Sequence, residues 1–392
     1  MSDLRFDPEA LIAEARQATG LSDFGSADFR EPLELVCETY EKGGWDERGR
    51  RRNRGRLLGL LTTRLRVEAA FGAHPEIADR PIRSPMVLTG LPRSGTSAQF
   101  NLLASDPAAR PLLLWETQHP DPALGLAPGE ADPRYLAVKA HFEEAHRKNP
   151  EFTKIHFASA DTPEECVLLQ SVSLAGVHHG VEALFEPYAS WYRAQDLRPM
   201  YRYYRRLLQL LDWQRGGERW LLKTPAHMWA IDALVETFPD VSIVWSHRDP
   251  LMCTASICSM TYAILQGYDI DKRELGPIVM DFYATSLERG LCARDACEAE
   301  RFVDVTHDEF VAEPVRVARR IYGHFGLDFG EAVRSRMEAH VAANPRGKHG
   351  VHDYSLEEYG LDPDQVRARF AAYIDRFAIP AGAPRRGEGS PA

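Results

Sequence analysis

Apolar residues recur along this chain in two rhythms, and the change between them falls near Pro85. Up to Ala73 they come at three- and four-residue steps, the spacing of helices with one buried face. Asp7-Pro8-Glu9 opens the first such helix with a capping acid and a first-turn proline, and Gly20 closes it. Leu57, Leu58, Leu60, Leu61 and Leu65 carry the pattern onward. Beyond Pro85 the rhythm gives way to short unbroken apolar runs: Met86-Val87-Leu88-Thr89, Trp220-Leu221-Leu222, Val241-Ser242-Ile243-Val244-Trp245 and Phe302-Val303-Asp304-Val305. They are separated by helical segments such as Met228 to Glu236. Short apolar strands alternating with helices predict an α/β fold: a mostly parallel central sheet flanked by helices, with site loops at the strand C-terminal ends. The expected organisation is an N-terminal helical extension over 1–80, an α/β domain over 81–379 with a helical insertion at about 120–212, and a flexible tail over 380–392.

Composition narrows the function classes. The 392 residues are 44% hydrophobic and 27% charged, enough for a large core. A net charge of −10 argues against nucleic acid as a partner, because that binding needs a positive field, so any anionic ligand must be held by a local cluster. Six arginines between Arg48 and Arg56 read as a solvated helix face. The N-terminus carries acids and no apolar core, and no stretch reaches the ~18 apolar residues of a membrane span; a cytoplasmic protein is expected. Six cysteines do not form a disulfide scaffold, and the pairs Cys253/Cys258 and Cys292/Cys297 diverge on helices. His178-His179 diverge likewise, so no metal is expected.

The candidate chemistry starts at the first strand. Gly90-Leu91-Pro92-Arg93-Ser94-Gly95-Thr96-Ser97 stands between that strand and a helix and has the length of a phosphate loop, with backbone N–H groups free to curl round an anion. Thr96 occupies the place after the second glycine where a triphosphate-binding loop carries lysine, and Arg93 supplies the cation. The run Val241 to Trp245 leads into Ser246-His247-Arg248 instead of a magnesium-binding aspartate. Arg248, with Ser256 on the following helix, makes a second anion site suited to a phosphate. Arg346-Gly347-Lys348-His349-Gly350 is a third cationic, glycine-punctuated segment.

Together these segments resemble the sulfotransferases that use 3′-phosphoadenosine-5′-phosphosulfate (PAPS). Leu222-Lys223-Thr224-Pro225-Ala226-His227 and His307-Asp308-Glu309-Phe310-Val311-Ala312-Glu313-Pro314 extend the resemblance, which covers residues 85 to 375. The closing His352-Asp353-Tyr354-Ser355-Leu356-Glu357 is similar to the bacterial branch. The resemblance implies a P-loop-like core and PAPS as donor. Arg93, Ser94, Gly95, Thr96 and Ser97 would cradle the 5′-phosphosulfate, Arg248 and Ser256 the 3′-phosphate, and Arg346, Gly347 and Lys348 would close on the nucleotide. Lys223 and His227 stand four apart, where the cytosolic small-molecule branch has lysine and histidine two apart.

Sulfuryl transfer asks for a base, a positive environment for sulfate and a donor to the leaving oxygen. Lys223 and Arg93 serve the latter two. For the base, Glu116 in Leu114-Trp115-Glu116-Thr117 resembles the catalytic glutamate of the tyrosine-sulfating branch, with His227 and His119 as competitors. Glu164-Glu165, after Asp161-Thr162-Pro163, reads as the acidic first turn of a helix. The acceptor partner, a small molecule or carbohydrate, is expected to offer a hydroxyl or an amine, in a pocket formed between Pro120 and Asp212. Two rival functions are a small-molecule kinase with a similar loop and a nucleotide-binding regulator without catalysis. Nothing in the pattern fixes an oligomeric state.

Overall fold

A computed structural model describes residues 4–123, 130–148, 159–177, 182–344 and 355–380. Its centre is one parallel sheet in the order β2-β3-β1-β4-β5, formed by β1 (Met86–Gly90), β2 (Ala109–Pro111), β3 (Arg219–Lys223), β4 (Ser242–His247) and β5 (Phe302–Thr306). Four of these strands are the predicted apolar runs, within two residues at each end. They are unbroken because the sheet is buried on both faces: Val87, Trp220, Leu222, Ile243 and Trp245 enter one core, while Met86, Leu88, Leu221, Val244 and Val303 enter the other.

The unforeseen strand is β2. Its three residues follow Asp106-Pro107 and end in Pro111, a turn-like sequence, and Pro111 is tolerated because β2 pairs only with β3 at the sheet edge.

The N-terminal helices are α1 (Pro8–Thr19), α2 (Arg30–Lys42) and α3 (Glu47–Ala73). Asp7 caps α1 by accepting from the Ala10 amide at 3.0 Å, and Gly20 ends it in the left-handed region at φ 70°. Leu11, Leu33, Leu61 and Leu65 share one continuous core with Trp220 and Ile243. The arginine run is less solvated than its sequence suggests. Arg50 pairs with Glu41 at 2.7 Å, Arg54 with Glu14 at 2.6 Å and Arg56 with Glu182 at 3.2 Å, tying α3 to its neighbours.

The register decides where chemistry gathers. Leu88 lies opposite Lys223 on one side and Val244 on the other, and Gly90 opposite Ser246. The segments leaving β1, β3 and β4 therefore meet at one sheet edge. The chain leaves β1 toward β2 and leaves β4 toward β5, so β1 and β4 flank the switch point where open α/β sheets form a crevice.

Candidate active site

Close backbone packing shapes the loop after β1. Gly90 has φ 138°, and a Cβ there would stand 2.3 Å from the Ser246 carbonyl oxygen, so only glycine lets β1 and β4 approach this tightly. Arg93 takes a left-handed φ of 70° and Gly95 one of 97°, and the helix α4 (Thr96–Leu103) begins at once. The loop is held from β4: Arg248 donates from Nη1 to the Arg93 carbonyl at 2.7 Å, and Ser246 donates from Oγ to Gln99 Oε1 at 3.0 Å. Within it, the Ser94 hydroxyl is buried and has no hydrogen-bond partner among the described residues. An unpaired hydroxyl beside two left-handed residues and a helix N-terminus suits an anion.

Lys223, buried at the end of β3, reaches into this cradle. Its Nζ donates to Ser97 Oγ at 3.1 Å and forms an ion pair with Glu165, whose other oxygen accepts from Thr224 Oγ1 at 3.3 Å. Glu164 is next to it, its carboxyl raised above the ordinary range by burial and then by the charge of Glu165. Arg93, Thr96, Ser97, Glu164, Glu165 and Thr224 all border one cleft of about 320 Å³. Glu165 is the N-cap of the short helix Cys166–Gln170 and Glu164 precedes it, so the pair expected in an acidic first turn lies just before the helix and forms a wall of the cleft. The signal that marks it lies across space: a buried lysine at a strand end needs a counter-charge.

Around the loop, Asp249 caps the helix Pro250–Ile264 by accepting from the Leu251 amide at 2.9 Å. Ser256, Met260 and Ile264 recur at four-residue steps on that helix, so they share one face, and the last two line the cleft. The cationic segment Arg346-Gly347-Lys348, like His178-His179 and His352-Asp353-Tyr354, lies outside the described residues.

Two of the expected bases lie away from the cleft. Glu116 is buried, its two oxygens taken bidentately by Arg110 at 2.7 Å each, with the Leu113 amide at 3.0 Å and Arg215 Nε at 3.1 Å adding to them. Arg110 is itself stacked 4.1 Å over Trp220. This carboxylate fastens β2 to the helix Leu114–Gln118 and does not border the cleft. His227 is wholly buried with Nδ1 2.7 Å from the Tyr201 hydroxyl, and burial lowers its pKa to about 3. It does not line the cleft either. His119 is half-buried at the C-cap of the Leu114–Gln118 helix, its carbonyl accepting from Arg134. Among the described residues no group of three or more His, Cys, Asp or Glu side chains could hold a metal ion.

A parallel sheet with a loop suited to an anion at its switch point, and a lysine and carboxylate pair facing it, is an arrangement found in α/β proteins that bind phosphate-bearing ligands. The chain belongs to the sulfotransferase family, which it matches over residues 85–331. Among solved structures it is similar to the sulfotransferase STF1 of Mycobacterium tuberculosis H37Rv, with 35% identity and a TM-score of 0.81 over 93% of this chain and 98% of that one. It is also similar to STF9 of Mycobacterium avium, at 30% identity and a TM-score of 0.85 over 95% and 97% of the two chains. A curated relative, the omega-hydroxy-beta-dihydromenaquinone-9 sulfotransferase Stf3 of Mycobacterium bovis, is 23% identical over 170 residues. That stretch spans 42% of this chain and 42% of the relative.

Proposed function

We propose that the chain transfers a sulfuryl group from PAPS to the hydroxyl or amine of an acceptor. The observation that carries this reading is Lys223, shared between Ser97 of the anion loop and Glu165 across the cleft. The residues present fit the donor. The unpaired Ser94 hydroxyl, Thr96, Ser97 and the backbone at Arg93 and Gly95 suit the phosphosulfate end. Arg248 and Ser256 suit the 3′-phosphate end. The donor supplies an activated sulfate on a good leaving group, and the chain's own residues do the rest.

Glu165 takes the place that Glu116 and His227 cannot fill. An incoming anion at Ser97 competes for Lys223 and loosens its hold on Glu165, so a free carboxylate is produced where the acceptor enters. The acceptor proton passes to Glu165. A bond forms from the acceptor oxygen or nitrogen to sulfur, and the bond from sulfur to the bridging oxygen breaks with its electron pair staying on the nucleotide phosphate. Lys223 donates to that oxygen as charge collects on it. Thr96, standing where a kinase loop has its lysine, disfavours phosphoryl transfer, and Lys223 beside Glu165 disfavours a regulator without catalysis.

The same reading takes the protein to be cytosolic, supported by six cysteines that are all free thiols, as a reducing compartment favours. Calorimetry with 3′-phosphoadenosine-5′-phosphate against ATP and Mg²⁺ tests the donor site. Metal-independent preference for the bisphosphate, followed by transfer from labelled PAPS, is expected; binding of ATP with Mg²⁺ alone overturns the reading.

A further inference from the structure

The cleft has two ends of opposite chemistry. Beyond the carboxylates its wall turns apolar, with Trp229, Phe282 and Tyr283 on one side and Val167, Leu168 and Met260 on another. The aromatic side is continuous: the Trp229 and Phe282 rings lie 4.8 Å apart, and Phe282 and Tyr283 5.2 Å. Its mouth is also apolar. Met260 and Ile264, one helical turn apart, both line the cleft while remaining 39% and 36% exposed, among the largest exposed apolar side chains of the described residues. Unpaired apolar surface continuous with a pocket marks a site for an apolar ligand.

The polar inventory excludes other acceptors. Among the described lining residues Arg93 carries the single positive charge, and it belongs to the donor end, so an anionic acceptor has no partner of its own. A sugar would bring several hydroxyls, and outside the donor-end residues the described lining offers them Glu164, Glu165, Thr224 and Tyr283 against a larger number of apolar side chains, so those left unpaired are costly to desolvate. An alkylamine enters as an ammonium, which would pair with Glu165 and carries no lone pair to attack sulfur.

We propose that the acceptor is an uncharged apolar alcohol, its hydroxyl at Glu165 and its hydrocarbon body lying along Trp229, Phe282 and the Met260–Ile264 face. This rests on the donor site proposed above. The alcohol proton passes to Glu165, the alcohol oxygen bonds to sulfur, and the nucleotide leaves as the bisphosphate. Burial of the pocket's walls by the ligand, with little polar recognition, makes chain length the main determinant of specificity.

The test is transfer from labelled PAPS to a series of primary alkanols from butanol to decanol, set against octylamine and methyl glucoside. The expected kcat/KM rises about fourfold per methylene, the worth of one buried methylene, then levels where the chain passes onto half-exposed Ile264. Ile264→Asp should raise KM for decanol tenfold or more while leaving affinity for 3′-phosphoadenosine-5′-phosphate unchanged. Ile264→Thr, which shortens the side chain and adds a hydroxyl without a charge, should move KM in the same direction by less. Preference for the glucoside or the amine, or a rate independent of chain length, overturns the acceptor assignment while leaving the donor site standing. Failure to bind the bisphosphate overturns both.

Discussion

Replacing Glu116 separates a structural carboxylate from a catalytic one. The Arg110 and Glu116 side chains are 2% and 1% exposed, so Glu116→Ala leaves a guanidinium buried without its counter-charge. Breaking a buried pair in this way costs about 3–5 kcal/mol, and loss of the acceptor for the Leu113 amide adds about 0.5–2 kcal/mol. Arg110 keeps the carbonyls of Pro111 at 2.8 Å and Arg215 at 3.2 Å, and its stacking on Trp220. These contacts hold the net cost near the lower end, about 3–4 kcal/mol. Urea unfolding followed by tryptophan fluorescence should show this loss as a lower midpoint, with the slope little changed. The paired replacement Arg110→Met with Glu116→Leu removes both charges together and should restore most of the stability, since apolar substitutes for a buried pair are often neutral. Turnover should return with it. A Glu116→Ala protein with the wild-type unfolding midpoint and a turnover lowered a hundredfold would refute the structural role and return Glu116 to the reaction.

The remaining expectations concern the cleft and its supports. Glu165→Gln should lower kcat by about 10²–10⁴ and leave bisphosphate affinity unchanged or slightly raised, because Lys223 loses its competing partner; calorimetry and labelled transfer read the two effects separately. Arg248→Ala should weaken bisphosphate binding by the worth of a charge-assisted contact, about 1.5–3 kcal/mol or roughly 10- to 150-fold, and unchanged affinity would remove it from the site. Gly90→Ala should destabilise the fold strongly, since its Cβ meets backbone at 2.3 Å, which thermal unfolding would detect. His227 has a folded pKa of about 3 against 6.5 for the free group, so below pH 6.5 the unfolded chain takes up a proton that the folded chain refuses. Its contribution is full above pH 6.5 and is lost as pH falls toward 3; His227→Asn should flatten the stability profile across that window, and an unaltered profile would refute the burial argument.

What the sequence disclosed and what it concealed divide by the range of the interactions involved. The strands were legible because burial on both faces removes polar alternation, and α1 because Asp7 and Gly20 act on their own helix within a few residues. The turn into α4 was legible for the same reason: left-handed Gly95 and the start of α4 are local backbone events. The roles of the carboxylates were not. Glu165 has its charge partner 58 residues away on β3, so nothing beside it distinguishes it from an acid in an ordinary first turn. Glu116 has a partner six residues away, yet that partner sits on β2, whose prolines hide the strand. His227 is four residues from Lys223, but it bonds to the Tyr201 hydroxyl of the helix Arg198–Gln214, whereas Lys223 reaches Ser97 and Glu165.

The same division explains why one lysine carries more of the functional argument than any single motif. Lys223 is fixed by β3, whose register against β1 brings it level with Leu88, two residues before Gly90 and the loop that follows. Its desolvated ammonium must be paired in the ligand-free chain, and Glu165 provides the pair. A donor anion arriving at Ser97 satisfies the same charge, so its binding and the release of the carboxylate become one event. In the proposed mechanism Lys223 offsets the Glu165 charge until the donor is in place, so the carboxylate becomes available as a base when there is a sulfuryl group to transfer.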